Sequence, residues 1–311
     1  MQKHIRMAFV LATLMCNVPL NAQNSAAIKS NGNNPIVSPD GHFVVYRSEN
    51  SESPGIYRVD ADGKNRVRVY DIVSNVTQPV FSNDGKRLLY AHRAPDAIHL
   101  FSTDINGDDN KQFGAITAAA TLSVAISGDA SRVVYGANGW NDTQLFASGL
   151  EAKPAVKLTP GVDAFWCQQF SRDGKLIAAG RRVKGVGMQV WVMNVDGSSV
   201  RQLTHFPKSD GDPQCPTWSS DGKQLALQSA VRLASDTTKF VGTIWLVDVA
   251  TGSAKQLGKH SAPYRDETPS LFPDGRVAFQ SNRSGQWEVW IMNADGSGAR
   301  QLTGTAVAEL R

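Results

Sequence analysis

Cysteine is scarce in this chain. Cys16, Cys167 and Cys215 are the three among 311 residues, too few for the disulfide-dense scaffold of a small exported domain. A dominant charge is also lacking: 32 Lys and Arg stand against 28 Asp and Glu, a formal net charge of +4. No basic stripe or cluster runs through the sequence, which argues against nucleic acid as a partner. The main apolar run, Met7 to Leu20, falls short of the roughly 20 residues a membrane-spanning helix needs. The sequence has no G-x-S-x-G elbow, H-E-x-x-H helix, Walker loop or dinucleotide fingerprint. Several enzyme chemistries therefore lose their usual carriers, and neither a catalytic residue nor a cofactor is predicted.

What is present begins with a leader. Lys3 and Arg6 precede the apolar run, which closes on Leu20-Asn21-Ala22, the layout of a cleaved secretory signal peptide over 1–22. Lipid attachment at Cys16 is not expected, because Leu14 and Met15 precede it where a small residue is wanted. Removing Lys3 and Arg6 lowers the formal charge from +4 to +2. A periplasmic or secreted product follows, with no spanning segment in the mature chain. Roughly 290 residues remain, long for one domain unless the architecture is a barrel or repeat array.

A repeat array is what the sequence shows. One segment recurs six times: VSPDGHFVVY from Val37, FSNDGKRLLY from Phe81, ISGDASRVVY from Ile126, FSRDGKLIAA from Phe170, WSSDGKQLAL from Trp218 and LFPDGRVAF from Leu271. The turn aspartates 40, 84, 129, 173, 221 and 274 are spaced by 44, 45, 44, 48 and 53 residues, the length of a four-stranded propeller blade. A second half follows in each unit, such as IYRVDADG, VWVMNVDG and VWIMNADG, and then a short close such as RQLT at Arg201 and Arg300. Asp-Gly and Asn-Gly supply the positive φ of tight hairpins, and the flanking β-branched and aromatic residues favour strands. The third repeat is degenerate, with GDAS in place of Asp-Gly. The reading is an all-β, six-bladed β-propeller with four antiparallel strands per blade. After a short segment 23–32, blades are expected at about 33–74, 75–118, 119–161, 162–207, 208–261 and 262–304, within a propeller spanning 33–311. Blade one is expected to close against blade six, with Ala26 to Ser30 as a candidate extra strand.

An aromatic recurs at one position of the third strand: Tyr57, Phe101, Phe146, Trp191, Trp245 and Trp290. Six rings at one position predict a shared packing slot between neighbouring sheets, with Trp191 as a core residue.

These repeats resemble the TolB-like, or WD40-like PD40, propeller family, most closely in CPTWSSDGKQLAL and FQSNRSGQWEVWIMNADGSGARQLT. The resemblance covers about residues 33 to 304. It implies a six-bladed ring and, from full-length TolB of the bacterial periplasm, contact with protein partners of the cell envelope. Only about ten residues separate the expected cleavage site from the first repeat, so the α/β domain that precedes the propeller in full TolB is not expected.

With this strand order, the loops after the second and fourth strands share one face and are the longer, more varied ones, the usual carriers of recognition. They nominate Trp140, Trp166, His205, Asp212, His260, Tyr264, Arg265, Glu267, Arg283 and Trp287 as residues for binding a protein partner or an envelope glycan. The competing reading makes them ordinary solvated loop residues. A second column, Asn34, Gln78, Ser123, Cys167, Cys215 and Thr268, is small or polar, as befits the mouth of a water-filled channel. Arg47, Arg93, Arg182 and Arg283 end second strands near the same face, as salt-bridge formers or anion binders.

Cys167 and Cys215 occupy equivalent positions of adjacent blades, so a bridge requires a narrow channel there. DADGKN and DINGDDN imitate the start of a calcium loop but lack its closing Glu and read as hairpin turns. The alternative function is a carbohydrate-active enzyme. Related propellers include sugar lyases with metal-binding histidines, and here His205 and His260, with Asp212, Asp266 or Glu267, are the candidate ligands. No metal is predicted in the favoured, non-catalytic reading. A monomer is expected, since a closed ring needs no second copy.

Overall fold

In the computed structural model, the structure describes residues 32–49, 54–71, 76–95, 97–117, 123–137, 142–149, 155–159, 161, 164–183, 185–233, 236–258 and 264–304. Among these, 24 strands, β1 to β24 in chain order, form six four-stranded antiparallel sheets, each made of four consecutive strands. Blade 1 holds β1 (Asn33–Val37), β2 (Phe43–Ser48), β3 (Gly55–Asp60) and β4 (Val67–Asp71). The inner strands of the next five blades are β5 (Val80–Phe81), β9 (Ser123–Ile126), β13 (Phe165–Phe170), β17 (Gln214–Trp218) and β21 (Asp266–Leu271). The architecture is the expected all-β six-bladed propeller. Ala26 to Ser30 lie outside the described residues.

The second strand of each repeat is a nearly continuous apolar run, and the reason is that the sheet is covered on both faces. Successive side chains of a strand point to opposite faces. Val44 accordingly packs with Phe272, Ala278 and Val289 of blade 6, while its neighbour Val45 packs with Leu88 of blade 2. The same division recurs around the ring. Six hydrophobic clusters straddle the seams between blades 6 and 1, 1 and 2, 2 and 3, 3 and 4, 4 and 5, and 5 and 6. No blade owns a core of its own, so each depends on its neighbours. The ring closes where blade 6 meets blade 1. There Gly32 N–H donates to Trp287 O at 3.2 Å and Val37 N–H to Ser270 Oγ at 3.0 Å.

The aromatic column occupies these seams for the most part. Tyr57, Phe146, Trp245 and Trp290 lie in clusters shared with the preceding blade. Phe101 reaches that blade through a stack, with Tyr90 5.4 Å from Phe101 and 4.4 Å from Tyr70. Trp191 differs from the core role expected for it. It is half-buried, and the Arg181 guanidinium lies 4.2 Å from its ring centre. The blade 4 residue opposite it in the second strand is Ala179, where Tyr46, Tyr90 and Tyr135 stand in blades 1 to 3, so no ring stacks on the indole from within its own sheet.

The Ser-x-Asp turns share one construction. Ser38 Oγ donates to Asp40 Oδ1 at 2.6 Å, and that oxygen also accepts His42 N–H at 3.0 Å. The equivalents Ser82–Asp84, Ser127–Asp129, Ser171–Asp173 and Ser219–Asp221 repeat it. Blade 6 has Phe272 at the serine position, and Arg276 Nε donates to Asp274 there at 2.8 Å. Gly follows the Asp with φ near +75° in Gly41, and in the degenerate third repeat Ala130 adopts the same left-handed conformation at +58°.

Candidate functional site

Four of the inner strands carry a bulge at the same place. Pairing of β1, β13, β17 and β21 with the next strand slips between Asn33 and Ile36, Trp166 and Gln169, Gln214 and Thr217, and Glu267 and Ser270. In each slip one non-glycine residue takes a left-handed φ: Asn34 at 49°, Cys167 at 51°, Cys215 at 51° and Thr268 at 47°. A bulge re-aims the strand locally. All six members of the small polar column, these four with Gln78 and Ser123, line a cavity of about 580 Å³ enclosed by the inner strands.

Side chains from neighbouring blades lock this wall. Gln280 of blade 6 accepts Asn34 N–H through Oε1 at 3.0 Å, and Gln228 of blade 5 accepts Thr268 N–H at 2.6 Å. Gln78 Nε2 donates to Asn34 O at 3.2 Å, and Ser123 Oγ to Gln168 Oε1 at 2.8 Å. At the turn end, Arg172 of blade 4 donates to Asn83 O of blade 2 at 2.5 Å, reaching past blade 3.

The other end carries paired charges. Arg47 Nε lies 3.0 Å from Glu49, whose side chain is half-exposed. On blade 6, Tyr264, Arg265, Glu267, Arg283 and Trp287 come together. Arg265 bonds Glu267, which is 1% exposed and also accepts Gln280 Nε2 at 3.0 Å, while its guanidinium lies 5.6 Å from the Trp287 ring centre. Arg283 holds Asp266 with bonds of 2.6 and 2.7 Å and covers the Tyr264 ring at 4.5 Å. Burial pushes the Asp266 carboxyl above the usual aspartate range, and the adjacent Arg283 charge opposes that rise only in part. The charges here are neutralised within the blade, Arg265 by Glu267 and Arg283 by Asp266, before any ligand arrives.

The remaining nominated residues sit apart from that cluster. Trp166 lines the cavity from blade 4, with the Arg182 guanidinium 5.2 Å from its ring. His205 is exposed, and its Nδ1 lies 3.1 Å from Gln202 Nε2. Asp212 accepts Met188 N–H at 2.9 Å and borders a separate depression of about 730 Å³ lined by Arg182, Lys208, Arg232 and Phe240. Trp140 and His260 lie outside the described residues. Among the described residues, no three His, Cys, Asp or Glu side chains converge where a cation would sit. The calcium-like turn at Asp104 spends its carboxylate on the backbone N–H groups of Asn106, Gly107 and Asp108.

Sequence reasoning passed over Gln228, Gln280 and Arg172. The first two had a visible signal, the LQS within one second strand and the FQS that ends another. Arg172 had none, because its partner is a backbone carbonyl two blades away.

No family model matches the chain. An uncharacterized Agrobacterium fabrum protein, Atu1656, is 26% identical over 141 residues, which is 45% of this chain and 44% of that one. The chain thus spans under half of the curated relative it matches. TolB from Acinetobacter baumannii superposes with a TM-score of 0.59 at 17% identity, covering 85% of this chain and 61% of that one. An oligogalacturonate lyase from Vibrio parahaemolyticus superposes with a TM-score of 0.57 at 15% identity, covering 86% and 78%. At such identities the likeness speaks for architecture. No helix among the described residues is long and apolar enough to cross a membrane. With six four-stranded sheets closed around an axial cavity and a TolB structure superposing on most of the ring, the chain has the TolB-like six-bladed propeller fold.

Proposed function

We propose that the chain is an exported, periplasmic or secreted propeller that binds a protein partner or cell-envelope component at the loop end of its axis, without catalysis. The observation that carries this reading is the axial cavity with polar groups left over in its wall. Trp166 Nε1 and Thr268 Oγ1 both belong to cavity-lining residues, both atoms are buried, and neither has a hydrogen-bond partner within the described protein. Buried polar groups of this kind are ordinarily satisfied, and adjustment of the wall around a ligand entering from the loop end would bring partners to them. Trp166 and Trp287 would supply aromatic anchors of the type that dominate binding energy. The TolB likeness supports a protein partner, and the N-terminal pattern of Lys3 and Arg6 before an apolar run supports export.

The fold likeness to an oligogalacturonate lyase keeps a second reading in view, a carbohydrate-active enzyme using His205, Asp212 and His260. The depression beside Asp212, with Arg182, Lys208 and Arg232 on its walls, favours it.

Capture from envelope extract with the immobilised mature chain tests the first reading, alongside a variant carrying Trp166→Ala, Trp287→Ala and His260→Ala whose melting is checked first. Loss of captured partners in a folded variant is expected. Retention of the same partners would misplace the site, and release of unsaturated sugar from an acidic oligosaccharide by the wild-type chain would favour the enzyme.

A further inference from the structure

We infer that Cys167 and Cys215 form a disulfide that staples the inner strands of blades 4 and 5 across the wall of the axial cavity. Their sulfurs lie 2.7 Å apart, although 48 residues separate them in sequence. The proximity arises from the bulges. Both cysteines are the left-handed residue of their slip, with the same φ of 51°, and both line the cavity. Equivalent atoms of neighbouring blades in a six-bladed ring are as far apart as each is from the axis, so only residues pressed inward on a narrow wall can meet.

A second observation sets this seam apart from the two that follow it. In blades 5 and 6, the residue paired with the one before the bulge is a glutamine, since Gln228 pairs with Gln214 and Gln280 with Glu267. Each glutamine accepts the bulge N–H of the next blade, at Thr268 and Asn34. The blade 4 equivalent is Gly180, paired with Trp166. Glycine has no side chain, so the glutamine arrangement of the next two seams is not repeated between blades 4 and 5. A covalent bond between the two bulge residues would tie the same two strands at the same height.

The step balances as thiol–disulfide exchange with an external disulfide, such as oxidised glutathione or an oxidase of the compartment. The Cys167 and Cys215 S–H bonds break, one S–S bond forms, and the donor disulfide leaves as two thiols carrying both protons and the electron pair. With Cys215 buried and Cys167 half-buried on the cavity wall, the pair would be reached by a small reductant entering along the axis. An exported compartment supplies the oxidant, whereas the reducing cytosol would keep the dithiol.

The test uses the full chain, incubated with oxidised glutathione, denatured without reductant, alkylated and digested. Mass spectrometry separates Cys16 from the pair. A linked peptide containing Cys167 and Cys215 is expected, replaced by two alkylated peptides when dithiothreitol precedes denaturation. Reduction is expected to lower the melting temperature by about 3–8 °C, and Cys215→Ser is expected to abolish that reductant dependence while leaving Cys167 open to alkylation. Complete alkylation of both cysteines in oxidised wild type would overturn the inference. A linked peptide whose reduction leaves melting unchanged would overturn its role as a seam tie.

Discussion

Gln280 of blade 6 holds the backbone of Asn34 in blade 1, its Oε1 accepting the Asn34 N–H at 3.0 Å while its Nε2 donates to Glu267 at 3.0 Å. One buried amide thereby joins the last blade to the first and caps a buried carboxylate. Gln280→Ala removes the acceptor of the Asn34 N–H and one donor to Glu267, which keeps Arg265, at a cost of about 1–3 kcal/mol. Denaturant titration measures the loss, and faster hydrogen exchange of the Asn34 amide locates it. Unchanged stability with unchanged exchange would mean that the ring is closed by the hydrophobic seam alone.

Trp245 and Trp191 occupy the same repeat position in different surroundings. Trp245 is 8% exposed, packs against Phe206 at 4.5 Å and donates from Nε1 to Ser229 Oγ at 2.9 Å. Trp245→Ala is expected to cost about 3–5 kcal/mol. Trp191→Ala is expected to cost less than half as much, because its ring is half-buried under Arg181. Equal costs in urea titration would contradict the difference described between the two seams.

Ala130 takes a φ of +58° where Gly41, Gly85, Gly174, Gly222 and Gly275 stand in the other repeats. A Cβ disfavours that region, and Ala130→Gly is expected to stabilise the protein by about 0.5–1 kcal/mol, the relief of strain exceeding the entropy that glycine adds to the unfolded chain. A lower melting temperature in the variant would show that the methyl contact with the blade 2–3 cluster matters more.

The turn aspartates make the fold sensitive to acid. Hydrogen bonds from the Ser82, Ser171 and Ser219 hydroxyls hold Asp84, Asp173 and Asp221 below the usual aspartate value of 3.8. A folded-state value below the unfolded one contributes stability that is present above the unfolded value and lost as pH falls through the folded value. Asp266 has the opposite sign, since burial raises it, and its contribution grows as pH falls. The several turns outnumber it, so melting temperature is expected to drop between pH 6 and about pH 3. Asp173→Asn should flatten that slope slightly, and a slope unchanged in Asp84, Asp173 and Asp221 variants alike would remove these turns as its source.

Much of this architecture was legible in the sequence because it repeats. Ser-x-Asp-Gly at near-constant spacing exposes the blades, and the column from Asn34 to Thr268 foretells the cavity wall, since every blade must present something small or polar to the axis. The bulges were hidden, because Asn34, Cys167, Cys215 and Thr268 have no residue type in common that announces a positive φ. The ligand face was legible only as a set of loops. Which of its charges neutralise one another, Arg265 with Glu267 and Arg283 with Asp266, depends on pairings within one blade. His205 and Asp212 lie toward the junction of blades 4 and 5, a placement set by the length of the loop before β17 and not by residue type.

The proposal that binding occurs at the loop end of the axis is tested most directly by a hydrogen-exchange footprint. The chain is compared alone and with its envelope-derived partner at saturating concentration. Protection is predicted over 164–168, 264–268 and 281–287, with no change in the Ser-x-Asp turns at 38–42, 82–86 and 171–175. Protection confined to those turns would place the partner on the opposite face and contradict the account.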